Sequence, residues 1–207
     1  GLPDGKGGGF RIVNIKINPW PYMESGSKIR STSFPAWSSE EVVIAGVNEQ
    51  VEHKLSIDNK GNTSFKNLKL YNIMPRAGVN GSSANMVLEF LGANVNANDE
   101  IYYFHGEVVP PLEDIDKINY TSGEGWNKNA KDAKAFIVVM NSSQQLHPQE
   151  SISAIIKYKT PSSKNGNQTA VTQFSYSAMS DNNQQVVFVS ARQAFKTDVY
   201  SVEYFPQ

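Results

Sequence analysis

The sequence predicts an all-β sandwich elaborated by long loops. Three observations carry the prediction. Apolar residues recur with period 2 in segment after segment. Clusters of Asn, Ser, Gly and Pro separate these segments at sandwich spacing. No helical periodicity persists for three turns. With 207 residues, 39% of them hydrophobic and 11% aromatic, the chain has enough apolar material for one large β domain.

Residues 1–40 read as an N-terminal strand at 11–17 (RIVNIKI) plus a Pro- and Trp-rich loop packed on the sandwich. Pro19 and Pro21 argue there against both a helix and a central strand. Residues 41–207 read as the sandwich domain, with strands at 42–46, 51–58, 65–73, 86–91, 101–105, 133–140, 151–160, 170–178, 185–190 and 200–205. Turn clusters at 94–99, 122–129, 141–145, 162–168 and 180–183 divide them. In the window 186–196, Val187, Ala191 and Ala194 could share a helical face, but β-branched Val dominates its first half and favours strand. Pro110-Pro111 ahead of Glu113 and Asp114 allows a short helix near 112–117, since Pro suits the first helical turn and acidic residues complement the helix dipole.

Residues 51–79, VEHKLSIDNKGNTSFKNLKLYNIMPRAGV, are the most informative. Val51, His53, Leu55 and Ile57 alternate with Glu52, Lys54, Ser56 and Asp58, so one face is buried and the other wet. Phe65, Leu68, Leu70 and Ile73 follow the turn, ahead of Met74-Pro75. Asn59, Gly61 and Asn62 are residue types that accept positive φ in a tight connection. The two runs are therefore expected to be antiparallel neighbours, with Leu55, Ile57, Leu68 and Leu70 facing the core. The order N-x-G-N, N-L-x-L, x-P resembles the repeat family of bacterial surface proteins catalogued as domain of unknown function eleven, with Met74-Pro75 standing where that family has Leu-Pro. The resemblance implies an immunoglobulin-like β-sandwich in a Gram-positive cell-wall or secreted protein, an adhesive or stalk module beside neighbouring domains. It implies no enzyme chemistry and no cofactor.

Charge is balanced, 19 basic against 20 acidic residues, so the chain shows no electrostatic footprint for nucleic acid or an anionic membrane. It contains no cysteine and no apolar run of the roughly 18 residues that would span a bilayer. The opening GLPDGKGGGF reads as a mature or excised fragment of something longer. The expected setting is extracellular, wall-associated or secreted.

The candidate sites follow from residue chemistry. His53, His105 and His147 have no acidic neighbour at metal-ligand spacing, and His53 reads as a half-buried strand residue. The glycines at 5–9 follow no strand and open no helix, so they do not form a phosphate cradle. Asn94, Asn96, Asn98 and Asp99 place oxygens as Ca²⁺ would want them but also suit a turn, and the metal expectation is none. A Lys–Asn isopeptide bond needs a buried Lys; Lys16, Lys54 and Lys157 all read as facing solvent, and Thr172 stands where similar domains carry Asn. No bond is expected. The aromatics Trp20, Tyr22, Phe34, Trp37 and Trp126 have two readings. They are either core and loop anchors or a ligand-binding platform, on which flat rings stack against sugars while Asn and Gln bond the hydroxyls. A host or cell-wall glycan or a protein is the partner class this second reading names, and a carbohydrate-binding module is the alternative function.

Overall fold

The computed structural model describes residues 17–162 and 168–197. The strands read at 11–17 (but for Ile17) and 200–205, together with Lys16 and the glycines at 5–9, lie outside the described residues. The described chain forms β1 (Met23–Ser31), β2 (Val42–Ala45), β3 (Gln50–Asn59), β4 (Phe65–Ile73), β5 (Glu89–Asn94), β6 (Glu100–Phe104), a 3₁₀ helix (Leu112–Lys117), β7 (Trp126–Asn127), β8 (Ala135–Val139), β9 (Ser151–Lys159), β10 (Gln168–Thr172), β11 (Phe174–Ser180), β12 (Gln185–Val189) and β13 (Gln193–Thr197). The fold is the expected all-β sandwich. One sheet runs β1-β3-β9-β5, the opposing sheet β12-β11-β4-β8-β6-β7, and a small third sheet β10-β13-β2 flanks them.

The core lies between the two large sheets. Val51, Leu55, Ile57, Ile156 and Tyr158 meet Phe65, Leu68, Phe136, Phe174 and Tyr176. A second, smaller core covers the outer face of the six-stranded sheet, where Leu112, Ile115 and Ile118 of the 3₁₀ segment pack on Tyr71, Ile73 and Ile137. Tyr158 of β9 donates its buried hydroxyl to Asn72 Oδ1 of β4 at 3.0 Å, a polar bond from one sheet to the other.

The connection after β3 differs from the expected hairpin. Leu55, Ile57, Leu68 and Leu70 are buried as predicted, but β3 pairs with β1 and β9 while β4 pairs with β11 and β8. Residues 59–65 form an arch that carries the chain across the sandwich. The segment between β8 and β9 fills the gap: Asn59 N donates to Glu150 O at 2.9 Å and Phe65 N to Leu146 O at 3.0 Å. Asn59 turns inward, donating Nδ2 to Thr63 O and Leu146 O at 2.8 and 2.9 Å while Oδ1 accepts from Gly61 N at 3.1 Å. Positive φ occurs elsewhere, at residues such as Asn67 and Gly92, and not at Asn59, Gly61 or Asn62. Gly61 is needed for close approach instead, because a Cβ there would overlap the Trp20 carbonyl and the Tyr22 amide.

Four further differences have physical causes. Residues 23–31, read as loop, form β1 because its backbone pairs with β3 over nine positions despite polar side chains. The run 170–178 breaks at Gln173, whose carbonyl accepts from Asn72 Nδ2 at 2.6 Å, so the chain passes from the small sheet to the six-stranded one. The strand read at 86–91 begins at Glu89 and carries a bulge at Leu91. His53 is sealed, at 1% exposure, rather than half-buried.

Candidate functional site

The exposed aromatic residues begin where the chain crosses the arch. Pro19 and Pro21 lack amide hydrogens, so Trp20 and Tyr22 fix this segment. Asn62 N donates to Trp20 O at 3.1 Å, and the amides of Lys60 and Gly61 converge on Tyr22 O. Asn62 Nδ2 adds a bond to Asn18 O at 2.9 Å. Residues two apart on an extended chain point the same way, and the Trp20 and Tyr22 rings stack at 5.1 Å with 9° between their planes. They remain 57% and 40% exposed. Tyr22 donates its hydroxyl to Glu24 at 3.0 Å, and that carboxylate raises its pKa.

Phe34 and Trp37 lie past the opposite end of β1. Nine strand residues place roughly 26 Å between these groups. Phe34 is exposed and Trp37 half-buried, with the Arg30 guanidinium 4.3 Å above the Trp37 ring and held by Glu52. Trp126 occupies a third place, on the outer face, against Phe104 at 5.1 Å and Tyr71 at 6.3 Å. The five sequence-predicted residues therefore form three separate groups. Sequence reasoning missed a further cluster on the outer face, where Tyr102 and Tyr120 pack at 5.0 Å under Lys128 and Lys69. Each lysine lies dozens of positions from the ring it covers, Lys128 from Tyr102 and Lys69 from Tyr120, which leaves no local signal of that grouping.

The three histidines and Asp99 each meet a hydrogen-bond partner within the fold. His53 Nε2 lies 2.6 Å from Ser27 Oγ, while the Ser27 hydroxyl donates to Gln193 Oε1. The network thus assigns the imidazole hydrogen to Nε2, making the ring a donor to Ser27 rather than its base. Nδ1 has no partner. Burial lowers the His53 pKa from 6.5 to about 3, opposed in part by Gln193. His105 Nε2 meets Asn129 O at 2.8 Å and His147 Nδ1 meets Ser64 Oγ at 3.0 Å. In the Asn-rich turn, the Asp99 carboxylate accepts from the backbone amides of Asn96 and Asn141. Among the described residues no three His, Asp or Glu side chains converge.

Lys54 and Lys157 are half-buried. Asn59 and Asn72, both sealed, commit their amide nitrogens to backbone carbonyls. We therefore expect the intact mass to equal the sequence mass. A deficit of about 17 Da (Lys–Asn) or about 18 Da (Lys–Asp) would reveal an isopeptide bond and refute this.

The two ends of the sandwich are distinct. Residues 17–22 sit beside the arch, at the Asn59 end of β3. At the other end, Glu49 gathers the amides of Ser33 and Gly46, and Thr160 donates to Gly46 O at 2.6 Å. Burial would raise the Glu49 pKa, but these backbone hydrogen bonds hold it below the usual range. Thr197 ends β13 opposite Ala45, next to Gly46. The outermost described residues, 17 and 197, thus stand at opposite ends of the ten-residue β3, roughly 30 Å apart along it.

No protein-family model matches this chain, and no curated protein does. Among solved structures it is similar to BcpA, the major pilin subunit of Bacillus cereus, at 7% identity and a TM-score of 0.47, over 85% of this chain and 40% of that one. It is similar to the full-length major pilin SpaD of Corynebacterium diphtheriae at 8% identity and 0.47, over 83% and 34%. A third similarity is to the C-terminal domain of the AgI/II polypeptide BspA of Streptococcus agalactiae, at 12% and 0.41, over 86% and 50%. The chain spans half or less of the length of each. At these identities the likeness is one of shape.

Proposed function

We propose that this chain is a non-catalytic module of a bacterial cell-surface or secreted protein, a stalk or adhesive domain between neighbouring domains. The observation that supports it is the placement of residues 17 and 197 at opposite ends. Tension applied through them runs along β1 and β13. Both strands are bonded lengthwise, β1 to β3 and β13 to β10 and β2. Their ladders are then loaded in shear, all bonds together. The motif order at 59–75 agrees with a surface-protein setting.

Single-molecule pulling tests the reading. Pulled through its two ends, the domain should resist more force than when pulled between residues 17 and 182. Those two lie at one end of the sandwich, since Asp181 N bonds Ser64 O at 3.0 Å beside the arch, and this geometry peels strands one bond at a time. Equal or lower force through the ends would sink the stalk reading.

The stacked, exposed Trp20–Tyr22 pair favours a second reading, binding of a host or cell-wall glycan, because flat rings can cover the apolar face of a pyranose and Asn18, Asn62 and Glu24 flank them with polar groups. On a glycan array, Trp20→Ala should lose any signal the wild type gives and keep its melting temperature. Binding should vary little with salt. A collapse of stability in Trp20→Ala would make the rings anchors of the arch, and Trp37→Ala serves as the matched control at the far group.

A further inference from the structure

Sheet edges are normally guarded, because a row of unpaired N–H and C=O groups recruits other strands. Most edges in this fold carry a guard. The outer side of β1 is met by the Ile29–Ser38 bridge. β5 is kinked by its bulge, with Gly92 at φ 144°. β7 is two residues long and followed by Lys128. Ser31 Oγ caps Ile44 O on β2 at 3.0 Å, and Asn85 exchanges two bonds with Thr169 on β10.

β12 differs. Its sequence is QVVFV, with no charge, no proline and no bulge against β11. Among the described residues nothing pairs with its outer side. Ser180 N bonds Gln184 O at 2.9 Å and Ser190 N bonds Phe174 O at 2.8 Å. Antiparallel alternation then turns the backbone groups of 184, 186, 188 and 190 toward β11 and those of Gln185, Val187 and Val189 outward. Val187 and Phe188 are 38% and 41% exposed, and Phe188 lies over Tyr176 at 5.3 Å.

We propose that β12 pairs with β12 of a second copy of this chain, antiparallel about a two-fold axis at Val187, joining two six-stranded sheets into one. The outward set is self-complementary. Val187 faces Val187 of the partner copy and Gln185 faces Val189, so each outward N–H meets a C=O. An isologous contact sets every group against its own kind; a charged edge would repel itself, and this one carries no charge. The contact is a single five-residue strand pair, well short of a standard interface of about 1,600 Å². The dimer is therefore weak, forming at high micromolar concentration.

Analytical ultracentrifugation over a concentration series is expected to show a monomer–dimer equilibrium for the wild type. Val187→Lys and Val187→Pro should each weaken it at least tenfold. Neither removes a bond to β11, and circular dichroism and melting temperature monitor the fold. Amide exchange at Gln185, Val187 and Val189 should slow with rising protein concentration. A wild type that stays monomeric at millimolar concentration overturns the proposal. So does a dimer indifferent to both variants, which would pair elsewhere. So do outward amides protected at every concentration, which would mean another segment of the same chain fills the edge.

Discussion

Asn59→Ala is expected to lower the unfolding free energy by about 3–5 kcal/mol. The side chain is fully buried and makes three backbone bonds, to Thr63 O, Leu146 O and Gly61 N. Each buried group left without a partner costs about 1–3 kcal/mol, and partial entry of water into the arch keeps the total below the sum. Asn59→Asp is the informative companion. It retains the acceptor for Gly61 N but sets a carboxylate oxygen against two carbonyl oxygens, so it should be no better tolerated than alanine. Chemical denaturation of the three proteins measures the effect, with the slope of each transition checked for two-state behaviour. A cost below about 1 kcal/mol for Asn59→Ala would mean that the arch is held by its flanking strands alone.

The second large effect is with pH. His53 titrates near 6.5 when unfolded and near 3 when folded, because burial disfavours its charged form. Between those values the unfolded state binds the extra proton, so stability rises with pH across this window and falls as the solution is acidified. The full loss is on the order of 5 kcal/mol, complete below about pH 3 and absent above about 6.5. Carboxylates titrate in part of the same range, so the quantity to measure is the difference between wild type and His53→Leu. The variant should show a flatter stability profile from pH 6.5 to 3, while Ser27 keeps its bond to Gln193. Parallel profiles for the two proteins would show that the imidazole is not the group resisting the proton.

Which apolar residues face inward was legible, although Glu52, read on the wet face, is buried beside Arg30; which strands touch was not. Period 2 placed Leu55, Ile57, Leu68 and Leu70 on the buried side correctly, since it reports a strand's two faces. It holds no information on pairing partners, and the arch was read as a hairpin for that reason. β1 escaped notice because Ser25, Gly26, Ser27 and Lys28 interrupt its apolar pattern and the prolines upstream suggest loop; its pairing with β3 decides the matter. The passage at Gln173 is invisible for a related reason, because alternation continues through the change of sheet. Leu112–Lys117 was legible, since Pro111 and the acidic first turn are local signals. The loop aromatics were identifiable as a class. Their division into three groups depends on strand length and sheet order, which only the assembled fold supplies.

The parallel pairing of β2 with β13 has a kinetic consequence. Gln193 reaches back to Glu40 O across 153 positions of sequence, and β13, the strand it opens, closes the small sheet against Val42–Ala45. Loop closure over such distances is slow, and β13 must be available before that sheet can form. During synthesis a chain of this topology leaves its small sheet unlatched until β13 has emerged. That sheet would then close in one late step of folding, after the strands of the two large sheets are already available.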